Sequence, residues 1–332
     1  MPDRSKRRVL AAALAVATAL AFGACGGGDE QESGGGGGSS GGAAKPVTLT
    51  VGVLPITDLA PLYLGMDQGF FEAEKLTIKP AVAEGGAAVV PAVMSGDDQI
   101  GFSNVTSLML ATSQNLPLKP IANGVTGGSS EDDAWDALLA PKGGATDLKQ
   151  LEGKKVSVNT LKNLPEVSVR YSLEKAGVDP NKVEFVEIPF PDVPAALESK
   201  RVAAAFAVEP FVGASLAAGA KKLALPLEDV APRLTVAEYF TSEKYAQENP
   251  DVVERFTRAI NKSLDFAQQN PDEVRKIVTT YTKTPPEVAE KMTLPTWSSE
   301  VNGDAMKTLA DLSKKYGILK DDVDLDPFIN FG

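Results

Sequence analysis

From residue 47 onward the chain alternates short strand patterns with helix patterns, and the alternation runs twice. Val47, Leu49, Val51 and Val53 alternate with Thr48, Thr50 and Gly52, the period-two signature of a strand with one buried face. A helix pattern follows at 60–68 and is closed by Gly69. Strands at 77–83, 99–102, 118–125 and 135–140 then interleave with helices at 87–94 and 105–114. After "PKGGATDLKQLEGK" the alternation restarts, with strands at 155–158, 183–188, 203–208, 222–225 and 235–241 and helices at 166–176, 193–199 and 210–218. From Ser242 the pattern is nearly all helical, at 251–269, 271–281, 285–292 and 304–316. Several of these helices open on proline, which suits a first helical turn. Strands alternating with helices predict an α/β class of mostly parallel sheets flanked by helices. Two such runs predict two lobes, and the helical tail, lacking a sheet of its own, has to pack back on one of them.

In open α/β sheets ligands bind beyond the carboxyl ends of the strands. The strand-to-helix junctions are "LPITD" (54–58), "AEGGAA" (83–88), "FSNVTS" (102–107), "VNTLKNLPE" (158–166), "IPFPDVP" (188–194) and "VEPF" (208–211). They are rich in Gly, Pro, Ser, Thr and Asn and contain no Arg, a polar rim suited to a small molecule. The chain has no histidine and one cysteine, Cys25. That excludes a Ser-His-Asp triad, a Cys-His nucleophile pair and a zinc or copper site built from His and Cys. A net charge of −11, without a basic cluster beyond the N-terminus, argues against a nucleic-acid partner. Asp322, Asp324 and Asp326 imitate the start of a calcium loop, but Pro327 stands where glycine is required. No metal site and no cofactor are expected.

The N-terminus reads as an address. Arg4, Lys6, Arg7 and Arg8 precede an apolar run at 9–22 that is too short to span a bilayer comfortably. It ends in "AFGAC", small residues before the lone Cys25, the pattern of a lipobox in which the cysteine is acylated. The other reading is a plain secretory signal. Residues 1–24 carry four basic residues and one acidic, so their removal takes the net charge from −11 to −14. An acidic domain is not drawn to anionic lipid, so attachment falls to the lipid on Cys25. The stretch "GGGDEQESGGGGGSSGGAA" that follows is a flexible tether with a reach of roughly 25 Å.

The stretches "LPITDLAPLYLGMDQGFFEAEKLTIK", "EGGAAVVPAVMSGDDQIGFSN", "DLKQLEGKKVSVNT" and "VEPF" together resemble the ABC-importer substrate-binding proteins that take nitrate, alkanesulfonates, taurine and thiamine-pyrimidine precursors. The resemblance runs from about Val47 to about Leu319. It implies a two-lobed, type II periplasmic-binding fold. Residues 1–24 would be a signal peptide and 25–45 the lipidated cysteine and tether. A discontinuous first lobe would take 46–139 plus 238–332, and 140–237 would be the second. It further implies a binding protein rather than an enzyme, exported and anchored on the outer face of the cell membrane. Such a protein is monomeric and hands a solute from its cleft to permease subunits powered by an ATPase. Two alternatives remain: a sensor that feeds no transporter, and an enzyme like the related pyrimidine synthases. The latter use an active-site histidine and a cysteine-rich segment that this chain lacks.

Candidate ligand residues follow from the junctions. Asp58 either caps the helix after the first strand or meets a ligand, and both roles are compatible. Tyr63, one turn on, is a packing or a ligand tyrosine. Gly85, Gly86 and Ala87 free the first N–H groups of a helix, which favours an acidic ligand end. Ser103 and Asn104 in the first lobe, and Asn159 and Thr160 in the second, offer hydrogen bonds. Glu209 is expected on the cleft floor facing a cation, a donor-rich ring or a structural base. Phe211 and Trp135 are ring-stacking candidates, with hinge packing the competing role for Trp135; Trp297 reads as packing. Acids and neutral donors without Arg point to a polar or zwitterionic ligand with an amine or heteroaromatic ring. Lys162 is the one cation near the rim that would change this.

Overall fold

The computed structural model describes residues 45–331, so the signal segment, Cys25 and most of the tether lie outside the described residues. The described residues form two five-stranded sheets. The first has the order β2-β1-β3-β10-β4, built from β1 (Val47–Val53), β2 (Leu76–Val82), β3 (Ile100–Asn104), β4 (Leu118–Thr126) and β10 (Thr235–Ser242). The second has the order β7-β6-β8-β5-β9, from β5 (Asp136–Ala140), β6 (Lys155–Val158), β7 (Glu184–Glu187), β8 (Ala204–Val208) and β9 (Lys221–Ala224). Around the first sheet lie α1 (Ala60–Asp67), α2 (Phe70–Ala73), α3 (Gly86–Ser95) and α4 (Val105–Ser113). Around the second lie α5 (Leu164–Lys175), α6 (Val193–Glu198), α7 (Phe211–Ala217) and α8 (Pro226–Val230). The tail comprises α9 (Glu243–Glu248), α10 (Pro250–Gln269), α11 (Pro271–Tyr281), α12 (Pro286–Ala289), α13 (Gly303–Lys315) and α14 (Asp326–Ile329).

The strand alternation at 47–53 becomes burial directly: Leu49, Val51 and Val53 are fully buried. The long helix α10 buries Val252, Phe256, Ala259, Ile260, Ser263, Leu264 and Ala267, a stripe at three- and four-residue spacing, and lays it on α1 and α2. Each large apolar side chain so covered contributes about 1.5–3 kcal/mol.

Three points bear on the expectations. First, the sheets are mostly parallel, as expected, with four of the five strands in each pointing the same way. In each, the strand that arrives from the other lobe runs antiparallel to both neighbours: β10 beside β3 and β4, and β5 beside β8 and β9. A chain entering across the hinge comes from the opposite end to one returning through a crossover helix. Second, the boundary at 139/140 falls inside the second lobe, because β5 pairs only in the second sheet. The crossings are therefore 127–135 and 231–234, and β10 belongs wholly to the first sheet. They run side by side: Gly127 N–H donates to Leu234 O at 2.8 Å and Arg233 N–H to Gly128 O at 2.8 Å. Third, the tail is not confined to the first lobe. α12 packs on α7, and α13 packs on α4 and β10 of one lobe and on α5 and α8 of the other. The segment before α13 joins the hinge, with Thr126 N–H donating to Thr296 O and Asn302 Nδ2 to Pro232 O and Arg233 O. Among the described residues no helix is long and apolar enough to cross a membrane.

Candidate functional site

The carboxyl ends of the strands in both sheets converge on a cavity of about 40 Å³ between the lobes, room for about three waters. Asp58, Gly86, Ser103 and Asn104 reach it from the first lobe and Asn159 from the second. The lobes touch around it. Leu164 N–H donates to Asn104 Oδ1 at 3.4 Å, and Thr57 N–H donates to Glu209 O at 3.1 Å. A Cβ on Gly85 would lie 2.7 Å from Thr160 Cγ2, so glycine is what lets the lips meet. A Cβ on Gly86 would lie 2.6 Å from Ser103 Oγ, so the start of α3 approaches β3 more closely than any larger residue permits.

Asp58 is buried in a 3₁₀ turn, Thr57–Leu59, ahead of α1. It does not cap α1: neither that turn nor α1 has a side-chain cap bond, which corrects the dual role expected for it. Instead Oδ1 has no partner among the described residues, and burial raises the carboxyl from 3.8 to about 7, its own N–H offsetting part of the rise. Ser103 Oγ and Ser107 Oγ are also buried without partners. Asn104 caps α4 through Ser107 N–H at 3.0 Å while bonding the second lobe. Asn159 Oδ1 and Thr160 Oγ1 accept from Asn163 Nδ2, at 2.9 and 2.6 Å, so the second-lobe loop is held from within.

The other expected residues lie off the cavity. Tyr63 stacks on Tyr281, ring centroids 3.8 Å apart and 6° from parallel, and Tyr281 OH donates to Ile56 O at 3.0 Å. Trp135 is fully buried beside the first crossing, its Nε1 donating to Thr126 O at 3.1 Å. Phe211 opens α7, and Ala87 sits inside the first turn of α3. Glu209 does not meet a cation directly: Oε2 accepts from Gly213 N–H at 2.9 Å and Oε1 from Thr293 N–H at 3.3 Å, a clasp between α7 and the tail. Burial raises Glu209 from 4.5 to about 7, against those two donors and the more distant charges of Lys222 and Arg275. Trp297 is buried as expected and donates from Nε1 to Asp58 O at 3.2 Å.

The apolar wall was missed. Phe102, Leu164, Phe190, Phe206 and Leu227 line the cavity beside Val208. Phe190 and Phe206 pack 6.2 Å apart in the second lobe. Both lie in or next to junctions already singled out, "IPFPDVP" and the strand before "VEPF", but an aromatic in a strand reads as core until its face is known. Neither Lys nor Arg is among the residues lining the cavity; Lys162 is elsewhere, its N–H donating to Glu166 Oε2. A roomier depression, about 540 Å³, lies at Leu116, Lys119 and Phe328, where β4 begins rather than where strands end.

Comparison with known proteins places this geometry. The NMT1/THI5-like family profile matches residues 56–274. A taurine-binding periplasmic protein of Escherichia coli (strain K12) is 27% identical over 197 residues, 58% of this chain and 58% of that protein, so the match spans less than two thirds of the relative. The alkanesulfonate-binding protein of Xanthomonas axonopodis pv. citri bound to MOPS superposes with a TM-score of 0.72 at 18% identity, over 86% of this chain and 99% of that one. The periplasmic nitrate-binding protein of Synechocystis PCC 6803 superposes with a TM-score of 0.72 at 14% identity, over 82% of each chain. These likenesses establish the periplasmic binding-protein fold.

Proposed function

Because this chain belongs to the NMT1/THI5-like family, we propose that it is the extracytoplasmic solute-binding component of an ABC importer. It takes a small polar or zwitterionic organic molecule into the inter-lobe cavity and delivers it to a membrane permease. The observation that carries the reading is Asp58. A carboxyl sealed in a cavity with a free Oδ1 costs free energy until a donor arrives. A ligand amine or ring N–H is such a donor. The aromatic wall of Phe102, Phe190 and Phe206 suits a ring or short carbon body, and Ser103 and Asn159 line the same cavity. An acidic end would meet the first N–H groups of α3 at Gly86. With no Lys or Arg lining the cavity, a bare dianion is the poorest candidate. The taurine-, sulfonate- and nitrate-binding relatives supply the class, not this ligand.

The protein is exported and held at the membrane by lipid on Cys25, with the glycine-rich segment as tether. Two or more acyl chains hold stably, since each buried methylene adds about 0.8 kcal/mol. Cys25→Ser then releases the protein from the detergent phase, and wild-type protein found wholly soluble refutes the anchor.

Native mass spectrometry of purified protein, with a thermal-shift panel of taurine, short alkanesulfonates, nitrate and aminopyrimidines, tests the ligand. A true ligand at a hundredfold excess over Kd stabilises by about 2.7 kcal/mol. If nothing co-purifies and no panel member raises the melting temperature, the solute-binding reading fails.

A further inference from the structure

A second group of acids meets at the hinge, one fully buried and one half-buried. Asp136, the first residue of β5, is fully buried, and its Oδ2 accepts from Leu227 N–H at 3.3 Å. Glu228, in α8, accepts at Oε1 from Gly128 N–H at 2.9 Å, tying the first crossing to that helix. Leu227, whose N–H Asp136 accepts, immediately precedes Glu228 in α8, so the two carboxyls meet at one place. Their other oxygens, Asp136 Oδ1 and Glu228 Oε2, are sealed from solvent without a donor among the described residues. Two carboxylates have no hydrogen to offer each other, and one shared proton would satisfy both atoms.

This pair adjoins the cavity through two elements. Val208, the register partner of Asp136 across β5 and β8, lines the cavity, and so does Leu227, the neighbour of Glu228. We propose that Asp136 and Glu228 form a proton-sharing latch of the hinge, which clamps the first crossing to α8 while the proton is present and loosens when it leaves. The inference rests on the solute-binding reading for its purpose, because hinge freedom there sets cleft opening and ligand release.

The surrounding charges favour retention of the proton. Burial pushes Asp136 well above the carboxylate range, with the like charge of Glu228 the next cause; burial likewise leads for Glu228. Asp133, in the crossing, adds a like charge; burial acts to raise its own carboxyl, and the hydrogen bonds from Ser129 and Ser130 together outweigh this and hold it at about 2. On α8, Asp229 is engaged by Ser172 and Lys175 of α5. On α13, Lys315 is engaged by Glu174 and Lys307 by Asp311. Arg233, in the second crossing, meets the first through its backbone. Ionising the second carboxyl places two buried charges together, and separating Glu228 from Asp136 relieves this at the expense of the Gly128 bond. The latch therefore holds in acid and loosens as pH rises.

Hydrogen exchange on the ligand-free protein tests this, using the Gly128 amide as reporter and β1 amides as the control for global opening. After correction for intrinsic exchange, Gly128 protection in the wild type is expected to fall about tenfold per pH unit above the ordinary carboxyl range, relative to β1, because opening releases one proton. Glu228→Gln supplies a permanent amide donor in place of the proton, and its profile is expected to be flat; Asp136→Asn serves equally if that variant does not fold. A flat wild-type profile, or an unchanged slope in a folded variant, overturns the latch. No ligand is used, so its failure leaves the solute-binding reading standing, and an empty ligand panel leaves the latch standing.

Discussion

Asp58 follows β1 in the first lobe and Glu209 follows β8 in the second, and burial raises both carboxyls to about 7, yet their surroundings differ. Glu209 has a backbone N–H for each oxygen and binds α7 to the tail. Asp58 has an oxygen with no partner among the described residues and faces the cavity. A buried acid whose hydrogen bonds are complete is a fastening. A buried acid left incomplete at a strand end favours binding of a donor, because a hydrogen bond to it offsets the desolvation cost.

The largest expected effect is on the pH dependence of stability in the empty protein. The folded-state values of both acids lie above their unfolded values of 3.8 and 4.5, so the folded state holds the proton longer. Their stability contribution is present near pH 4 and is lost as pH rises toward 7. For Asp58, a shift of about three units corresponds to about 4 kcal/mol. Asp58→Asn is therefore expected to exceed wild type in denaturant stability at pH 8 but not at pH 4. The same difference at both values breaks the comparison on the Asp58 side.

Next in size is binding. Asp58→Ala is expected to weaken a ligand identified by co-purification by about 1.5–3 kcal/mol, roughly ten- to hundredfold in Kd, read by calorimetry. The empty protein should lose no stability, since no cap is removed. Affinity equal to wild type would make Asp58 a bystander.

Glu209→Ala should do the reverse. Measured at pH 5, where the acid is protonated, it leaves the Gly213 and Thr293 N–H groups unpaired and costs about 1–3 kcal/mol of stability. Its Kd should stay within a few-fold of wild type. A binding loss matching that of Asp58→Ala would merge the two roles.

The smallest effect sharpens the floor behind Asp58. Tyr281→Phe keeps the stack on Tyr63 but removes the bond to Ile56 O, and is expected to cost about 1 kcal/mol of stability in thermal unfolding. No change would mean that the stack alone holds Ile56 at the cavity wall.

Much of the architecture was legible along the chain, because strand and helix leave their period in local sequence. The strand expected at 155–158 appears as Lys155–Val158, and the helix expected at 271–281 as Pro271–Tyr281. The polar junction residues that reach the cavity, Asp58, Gly86, Ser103, Asn104 and Asn159, were legible for the same reason: the end of a strand is a local feature, and α/β sheets place such ends together. The α/β class, the two runs and the absence of histidine chemistry belong to the sequence alone.

What only the tertiary structure decided was pairing. The strand at Asp136–Ala140 closes the first run in sequence yet bonds to β8 and β9, since registry depends on partners far along the chain. The same holds for the acids. Glu209 becomes a fastening because Thr293, in the tail, donates to it, and Asp58 stays open because none of the described residues does. Asp136 meets Glu228 only once β5 and α8 are folded together. Sequence places a carboxyl at the end of a strand by local pattern. Whether that carboxyl finds a donor, a proton or an empty cavity depends on residues tens to hundreds of positions away, brought near by burial of the core.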